Sequence, residues 1–294
     1  MVDLDPDRAI DEINAVFGAH PGHRALHAKG AFYVGDFVAA PGIGALSTAG
    51  HLQGDPVPIR VRWSNGGGNP KAPDGATDVR GMAVSFRLPD GTATDLLGQT
   101  APRFPVRTPE AFLELVRAAA APYKLPLFLA RNPSAIPAMV ANARAKSIVP
   151  PSSYAVVTYY PVHAYSWIAA DGTTTWVRYR LVPEPGPVPA GRFAGPDRLQ
   201  DEILARLSAG PVRFRLEFQR AGRGDDPHDP MSVWPGGWEE AGTLSVTGPD
   251  PDRETDGEIV VFDPTRVVPG IGLSDDPILH YRPKAYSSSV NRRV

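Results

Sequence analysis

The chain has 294 residues, hydrophobic side chains at 42% of its positions and a formal net charge of −2, all ordinary values for a globular protein. Because 30 Lys and Arg residues balance 32 Asp and Glu residues with no polybasic arm, we expect no nucleic-acid partner. Cysteine is absent, which excludes disulfides, thiolate metal sites and cysteine nucleophiles. The N-terminus has no apolar signal-peptide core and no run of apolar residues is long enough for a membrane span, so we expect a cytoplasmic location.

The first third of the chain is predicted to hold one helix and two strands. Asp5 can cap the helix, Pro6 suits its first turn and Gly18 ends it. Residues 21–54 are predicted to be loop-rich with short extended pieces. Alternation of apolar and polar side chains predicts the strands, the second of which is followed by a Pro-Asp-Gly turn. These strands cover residues 59–64 and 81–88.

The remaining elements alternate between helices and strands without regular βαβ units. Thr108 and Pro109 suit the start of a helix, and Pro137 weakens a later one. Asp171-Gly172 suits a tight turn, so residues 154–182 are predicted to form a hairpin. The predicted helices cover residues 108–120, 132–145 and 196–209. The further strands cover residues 212–219, 242–247 and 258–262. This order favours an α+β fold with a mostly antiparallel sheet or barrel.

Two local patterns carry chemistry. The segment RALHAKG places His27 between cations in a loop. Arg282 and Tyr286 stand four residues apart, which on a helix brings the guanidinium over the phenol. A permanent cation favours the phenolate form, and a phenolate is one of the protein ligands of haem iron. Taken alone, however, such a pair is more often a surface helix pair. Zinc-protease, serine-hydrolase and phosphate-loop motifs do not occur.

A set of further motifs gives these patterns a context. They run in order along residues 20–294 as RALHAKG, IRVRWSN, TDVRGMAVSF, RTPEAF, DDPHDPMSVWP and FDPTRVVPGIGLSDDPILHYRPKAY. The chain resembles the haem catalase superfamily, and most of all its small catalase-related peroxidases. In the last motif the spacing from Phe262 to Tyr286 matches the family pattern F-D-P-x-x-x-x-P-G-I…R-x-x-x-Y.

The resemblance implies a fold, a domain organisation and a cofactor. The expected fold is an antiparallel β-barrel core with flanking helices, without the C-terminal helical domain of larger catalases. We expect one catalase-like haem domain over residues 1–294, with an N-terminal helix in residues 1–19 and a haem-binding core in residues 20–294. The expected cofactor is haem b. Because the sequence ends eight residues after Tyr286, we expect a smaller oligomer, a homodimer, and a more open haem.

The resemblance also implies roles for individual residues. His27 is expected to be the distal base and Ser64 the serine that hydrogen-bonds it. Gln99 stands where catalases place a distal Asn, with the same amide on a longer arm. Tyr286 is the expected axial ligand of the iron, and Arg282 is expected to hold it as phenolate. The other residues expected to contact haem are Arg24, Arg62 and Arg293 at the propionates, Phe112 on the haem face and His163 on the proximal side.

The function that these expectations favour is a peroxidase. It would reduce organic or fatty-acid hydroperoxides, and hydrogen peroxide, through a ferryl intermediate, using a small organic electron donor in the response to oxidative stress. Catalase activity is expected to be weak, because Gln99 changes the amide that orients the second peroxide. Two alternatives remain open at this point. One is a hydroperoxide isomerase or dehydratase resembling allene oxide synthases, and the other is a haem-binding protein without catalysis.

Overall fold

A computed structural model describes residues 4–250 and 259–293. In these residues nine strands form one sheet and six α-helices surround it. The strands are β1 Gly30–Ala39, β2 Val57–Asn65, β3 Arg80–Arg87, β4 Ala93–Gln99, β5 Tyr165–Ile168, β6 Thr174–Pro183, β7 Val212–Arg220, β8 Glu239–Pro249 and β9 Ile271–Leu273. The helices are α1 Pro6–Phe17, α2 Pro109–Ala120, α3 Leu125–Arg131, α4 Ala135–Arg144, α5 Arg198–Ala209 and α6 Pro277–Asn291. No helix in the described part of the chain has both the length and the apolar content needed to cross a membrane.

The sheet curls back towards its own edge. Its strand order is β4-β3-β2-β1-β8-β7-β6-β5-β9, and every neighbouring pair is antiparallel. At the β4 edge, the Asp95 N–H donates to the Arg266 carbonyl at 3.0 Å, on the segment that leads into β9. Gln99 and Tyr160 also exchange backbone hydrogen bonds across this edge. The α+β class with an antiparallel, barrel-like core is therefore confirmed, as a curled nine-stranded sheet.

The two faces of β2 to β4 have different neighbours because side chains alternate along a strand. On β2, the buried Val61 and Trp63 point into the aromatic core, where Trp63 stacks on Tyr154 with ring centroids 6.2 Å apart. Arg62 and Ser64 belong to the other face. There they pair in register with Ala83 and Gly81 of β3, which pair in turn with Leu97 and Gln99 of β4. These two rows form one wall of the functional cavity.

Helix starts were predicted well from capping residues. The Asp5 side chain accepts a hydrogen bond from the Asp7 N–H at 3.1 Å, and Thr108 accepts one from the Ala111 N–H at 3.3 Å. The other predicted helices are present with shorter bounds, at α4 and α5. The predicted strands on β2, β3, β7 and β8 are also present. Side chains that satisfy the first N–H groups of a helix are a local signal, which explains this agreement.

Three strand expectations differ from the structure. The segment 21–54, expected to be loop-rich with short extended pieces, contains the ten-residue strand β1. A Cβ at Gly35 would come 2.0 Å from the Ser245 carbonyl oxygen, so this glycine permits close approach of two strands. The 154–182 hairpin begins only at Tyr165, after an irregular stretch. The predicted strand 258–262 is not formed: residue 258 lies outside the described residues, and residues 259–262 are irregular.

Candidate active site

All the site residues predicted from the sequence line one cavity of about 230 Å³. It lies between the outer face of β2 to β4 and helices α1, α2 and α6. The predicted residues that line it are Arg24, His27, Arg62, Ser64, Gln99, Phe112, His163, Arg282, Tyr286 and Arg293. The rest of the wall is mainly apolar and includes Met82, Leu113, Val162, Phe262, Ile278 and Ala285. The cavity therefore combines an apolar body with a few convergent polar groups, as ligand sites do.

His27 is held in an uncommon backbone conformation. Its φ is 54°, in the left-handed region that residues other than glycine seldom adopt. The loop after β2 fixes it, because the His27 N–H donates to the Gly66 carbonyl at 2.9 Å and the next N–H donates to Gly67 at 3.1 Å. Such a conformation costs on the order of 1–3 kcal/mol and persists where surrounding structure enforces it, often at functional sites. The glycine-rich segment after β2 thus fixes the orientation of the His27 imidazole.

The imidazole of His27 is hydrogen-bonded to Ser64. The His27 Nδ1 and Ser64 Oγ atoms are 3.0 Å apart. Gly81, across the β2–β3 pair from Ser64, makes room for this contact. A Cβ on Gly81 would come 2.7 Å from both His27 Nδ1 and Ser64 Oγ. Sequence reasoning missed Gly81, although a glycine inside an alternating strand is a known sign of close approach.

His27 is neutral at pH 7. Burial lowers the pKa of its imidazole to about 3, and the nearby guanidinium groups of Arg62, Arg282 and Arg24 act in the same direction. Desolvation and neighbouring cations both disfavour the imidazolium form. With Nδ1 engaged by Ser64, Nε2 is the nitrogen that can receive a proton. The side chain is a partly buried base with a fixed orientation.

Helix α6 forms a second wall, and two of its side chains form a chain of contacts with the preceding Asp276 and with His163 before β5. Arg282 Nε donates to Tyr286 Oη at 2.7 Å. Arg282 Nη1 lies 2.9 Å from His163 Nε2, and His163 Nδ1 lies 2.6 Å from Asp276 Oδ2. A guanidinium only donates, so His163 Nε2 accepts and its proton sits on Nδ1, facing the carboxylate. Burial lowers the pKa of His163 even though the Asp276 carboxylate acts in the opposite direction. The ring is therefore neutral.

Asp276 is a residue that sequence reasoning missed. Its side chain is the N-cap of α6 and accepts from the Ile278 N–H at 2.8 Å. Its second oxygen holds His163, so one carboxylate fixes both the helix start and the imidazole. The sequence signal was present as Asp276-Pro277, the same capping pair that opens α1 at Asp5-Pro6. That signal locates a helix, but it does not reveal the contact with His163.

Arginines and aromatic rings complete the cavity. Arg62 Nη1 donates to the His27 carbonyl at 2.9 Å, and Arg24 donates to the Val260 carbonyl. Both guanidinium groups lie within 6 Å of the Phe32 ring centroid, at 5.5 and 5.9 Å. Phe112 on α2 stacks with its neighbour Phe104, with centroids 5.7 Å apart. Together with Arg293 these groups bring three guanidinium side chains to one apolar cavity.

Comparisons with known proteins show which family the chain belongs to. The family model described as Catalase matches residues 9–189. A catalase-related peroxidase of Mycolicibacterium paratuberculosis is 47% identical over 300 residues, which cover 99% of this chain and 95% of that protein. A catalase-related peroxidase of Synechococcus elongatus is 31% identical, covering 99% of this chain and 89% of the relative.

Solved catalases share the fold. A fungal catalase superposes with a TM-score of 0.77 at 21% identity, covering 93% of this chain and 60% of its own. A bacterial catalase superposes with a TM-score of 0.76 at 21% identity, covering 93% of this chain and 57% of its own. This chain therefore spans somewhat more than half the length of those catalases. The match to the family model over most of the chain, with a 47% identical relative along nearly all of it, establishes that the chain belongs to the catalase family.

Proposed function

We propose that this chain is a haem peroxidase that reduces organic hydroperoxides, including those of fatty acids, as well as hydrogen peroxide, with weak catalase activity. The observation that carries the proposal is a neutral, partly buried His27 hydrogen-bonded to Ser64 in the same cavity as the Arg282–Tyr286 pair. Two relatives named catalase-related peroxidase, one of them 47% identical, support the same activity.

The cavity fits haem, which proteins of the catalase family bind. Haem b is a flat apolar macrocycle with two carboxylates and an iron atom. Tyr286 offers the iron a phenol oxygen that already accepts a hydrogen bond from Arg282. The guanidinium groups of Arg24, Arg62 and Arg293 suit two propionates, because the guanidinium fork matches a carboxylate. The apolar wall suits the ring, and we propose haem b as the form bound.

Each residue then has a defined task. Bound haem supplies the iron centre at which peroxides are cleaved and the oxidising equivalents that a donor later reduces. Tyr286 would be the axial ligand, and Arg282 would stabilise its phenolate. The neutral His163, hydrogen-bonded to Asp276, positions the guanidinium of Arg282. Phe112 would line the haem face and Gln99 would offer its amide to the peroxide, since both side chains line the cavity.

His27 handles the proton. Its Nε2 receives the hydroperoxide proton and returns it to the oxygen that leaves, acting first as general base and then as general acid. The complete reaction takes one hydroperoxide, two one-electron donors and two protons to one alcohol, one water and two oxidised donors. Ser64 keeps the imidazole in the orientation that this transfer needs. A protein that merely stored haem would have no use for such a base.

The proposal is tested by replacing the base. We expect His27→Ala to bind haem with the wild-type stoichiometry but to cleave hydroperoxides at least about 100-fold more slowly, since general acid–base catalysis contributes roughly 10²–10⁴-fold. The matched control is His23→Gln, a change at a solvent-exposed histidine outside the cavity wall. Equal rates for His27→Ala and the control would overturn the proposal.

A further inference from the structure

One stretch of the chain has a charge unlike the rest. Residues 115–170 contain five basic residues and no Asp or Glu. Since the whole chain carries a formal net charge of −2, the remaining residues together carry −7. The basic residues are Arg117, Lys124, Arg131, Arg144 and Lys146. Such a separation along the chain concentrates positive charge in this stretch, and concentrated positive charge favours an anionic partner.

The same stretch exposes large apolar side chains. Helices α3 and α4 bury Phe128, Ala135 and Ala138 on their inner sides. Exposed apolar residues stand four positions apart in this region, with Tyr123 and Leu127 around the start of α3 and Ile136 and Val140 on α4. Tyr123, just before α3, is 80% exposed and Leu127 is 55% exposed. The other exposed large apolar side chains of this stretch are Ile136, Val140, Ile148, Val149, Val156 and Ile168.

Several of the cations beside these apolar residues carry uncompensated charge. Arg117 forms an ion pair with Glu12, and Arg131 forms one with Glu114 at 3.5 Å. The other three cations are exposed, namely Lys124, Arg144 and Lys146. None of them has an ion-pair partner among residues 4–250 and 259–293. We call Tyr123, Leu127, Ile136 and Val140 with these three cations the α3–α4 face.

We infer that the α3–α4 face binds the surface of an anionic lipid bilayer. Exposed apolar side chains enter the boundary of the acyl chains while adjacent Lys and Arg side chains meet anionic headgroups. The absence of acidic residues from the stretch removes the repulsion that such a surface would exert. Because the rest of the chain is acidic, attraction to an anionic surface would also turn this face towards it.

The face adjoins the cavity. Phe104 and Phe112 line the cavity and pack against the small core, containing Phe128 and Ala135, on which α3 and α4 rest. A docked molecule would therefore hold this wall of the cavity near the bilayer. If the proposed function holds, the hydroperoxides of membrane lipids or of fatty acids leaving the bilayer are the substrate class that this position favours.

The test is vesicle flotation with the full-length, haem-loaded protein and no peroxide. We expect at least about tenfold more protein to float with phosphatidylcholine vesicles containing about 30% phosphatidylglycerol than with pure phosphatidylcholine vesicles. Raising NaCl from about 0.05 to about 0.5 M should reduce binding, because salt screens the headgroup charge. Equal or absent binding to the two kinds of vesicle would overturn the inference.

Two matched variants identify the surface. Lys124→Glu/Arg144→Glu/Lys146→Glu should abolish flotation with the anionic vesicles. The control Lys71→Glu/Arg192→Glu/Arg223→Glu changes the net charge equally at exposed residues elsewhere and should retain most of the binding. Loss of binding in both variants would contradict a defined face. The membrane inference would also be contradicted if Leu127→Ser left flotation unchanged but converted a dimer to a monomer in sedimentation. The α3–α4 face would then be a subunit interface.

Activity is measured separately on a water-soluble hydroperoxide. Both charge variants should keep the wild-type rate in that assay, since none of the substituted residues lines the cavity. A wild-type protein that is active on the soluble hydroperoxide but never floats would contradict the membrane inference and leave the proposed function intact. A protein that floats but is inactive would contradict the proposed function alone.

Discussion

Arg282 donates a hydrogen bond from Nε to Tyr286 Oη over 2.7 Å, one helical turn further along α6. The same guanidinium reaches His163 Nε2 with Nη1 at 2.9 Å. A planar guanidinium can make both contacts at once because its donors point in fixed, divergent directions. The phenol is thus connected, through Arg282 and His163, to the Asp276 carboxylate that caps the helix.

Arg282→Lys tests whether the two simultaneous contacts of the guanidinium are needed for activity. A lysine ammonium is a compact charge on a flexible stem and cannot hold both contacts in the same geometry. We expect the variant to bind haem with a changed absorption spectrum. Its peroxidase activity should fall at least about tenfold, because one or two charge-assisted hydrogen bonds are lost. The control is Arg292→Lys at the end of the same helix, whose partners are the exposed Asp7 and Asp11. An identical spectrum and rate for both variants would refute the role given to Arg282.

Tyr286→Phe tests the axial ligand. Removing the phenol oxygen leaves no oxygen ligand at this position, so we expect a shift of the haem absorption bands and weaker haem retention on gel filtration. Tyr281→Phe is the control, since Tyr281 lies on the same helix and lines the same cavity. It should keep the wild-type spectrum. The ligand assignment fails if the spectrum responds to Tyr281→Phe and not to Tyr286→Phe.

Gly81→Ala tests the setting of the distal base. The new methyl group would lie 2.7 Å from His27 Nδ1 and from Ser64 Oγ, so the two groups must separate. We expect a peroxide cleavage rate at least about tenfold lower, because misplacement of a catalytic group by about 1 Å can cost up to 10²-fold. Gly248→Ala, in strand β8, is the control because nothing lies within 4 Å of its new Cβ. Unchanged kinetics in Gly81→Ala would show that the contact is dispensable.

His51 predicts a dependence of stability on pH. This ring stacks on Phe86 with centroids 4.8 Å apart, and burial lowers its pKa to about 4. Between pH 6.5 and about 4 the unfolded chain binds a proton at this residue that the folded chain does not. The free energy of unfolding should therefore fall on acidification, with His51 contributing about 1.4 kcal/mol per pH unit.

His51→Phe should remove this contribution. Across that pH range the free energy of unfolding of the variant should rise by about 3 kcal/mol relative to that of the wild type. Urea unfolding at several pH values measures this difference. The control is His23→Gln, a change at an exposed histidine, and it should keep the wild-type slope. Parallel slopes for His51→Phe and the wild type would contradict the assignment.

Local signals in the sequence predicted much of the site. The four-residue spacing of Arg282 and Tyr286 gave their contact, and the motif around His27 gave the residue that meets Ser64. The link between His163 and Asp276 joins residues 113 positions apart, and no local pattern records such a contact. It depends on how α6 packs against the segment that precedes β5.

The strands were predicted less well than the helices, because glycine has two different structural roles in this chain. Gly35 in β1 and Gly81 in β3 permit close approach of neighbouring atoms, whereas Gly172 adopts the positive φ of a turn. Composition alone does not separate these uses, since both exploit the missing Cβ. The irregular residues that precede β5 were likewise predicted as strand, because their Val and Tyr content favours extended structure.

The most direct test of the peroxidase proposal is a product balance. Haem-loaded protein is given a fatty-acid hydroperoxide and a one-electron phenolic donor, and the products are counted by mass spectrometry. We predict one alcohol for each hydroperoxide consumed, with two donor molecules oxidised. An epoxide formed without consumption of the donor would contradict the account, because it would make the protein a hydroperoxide isomerase.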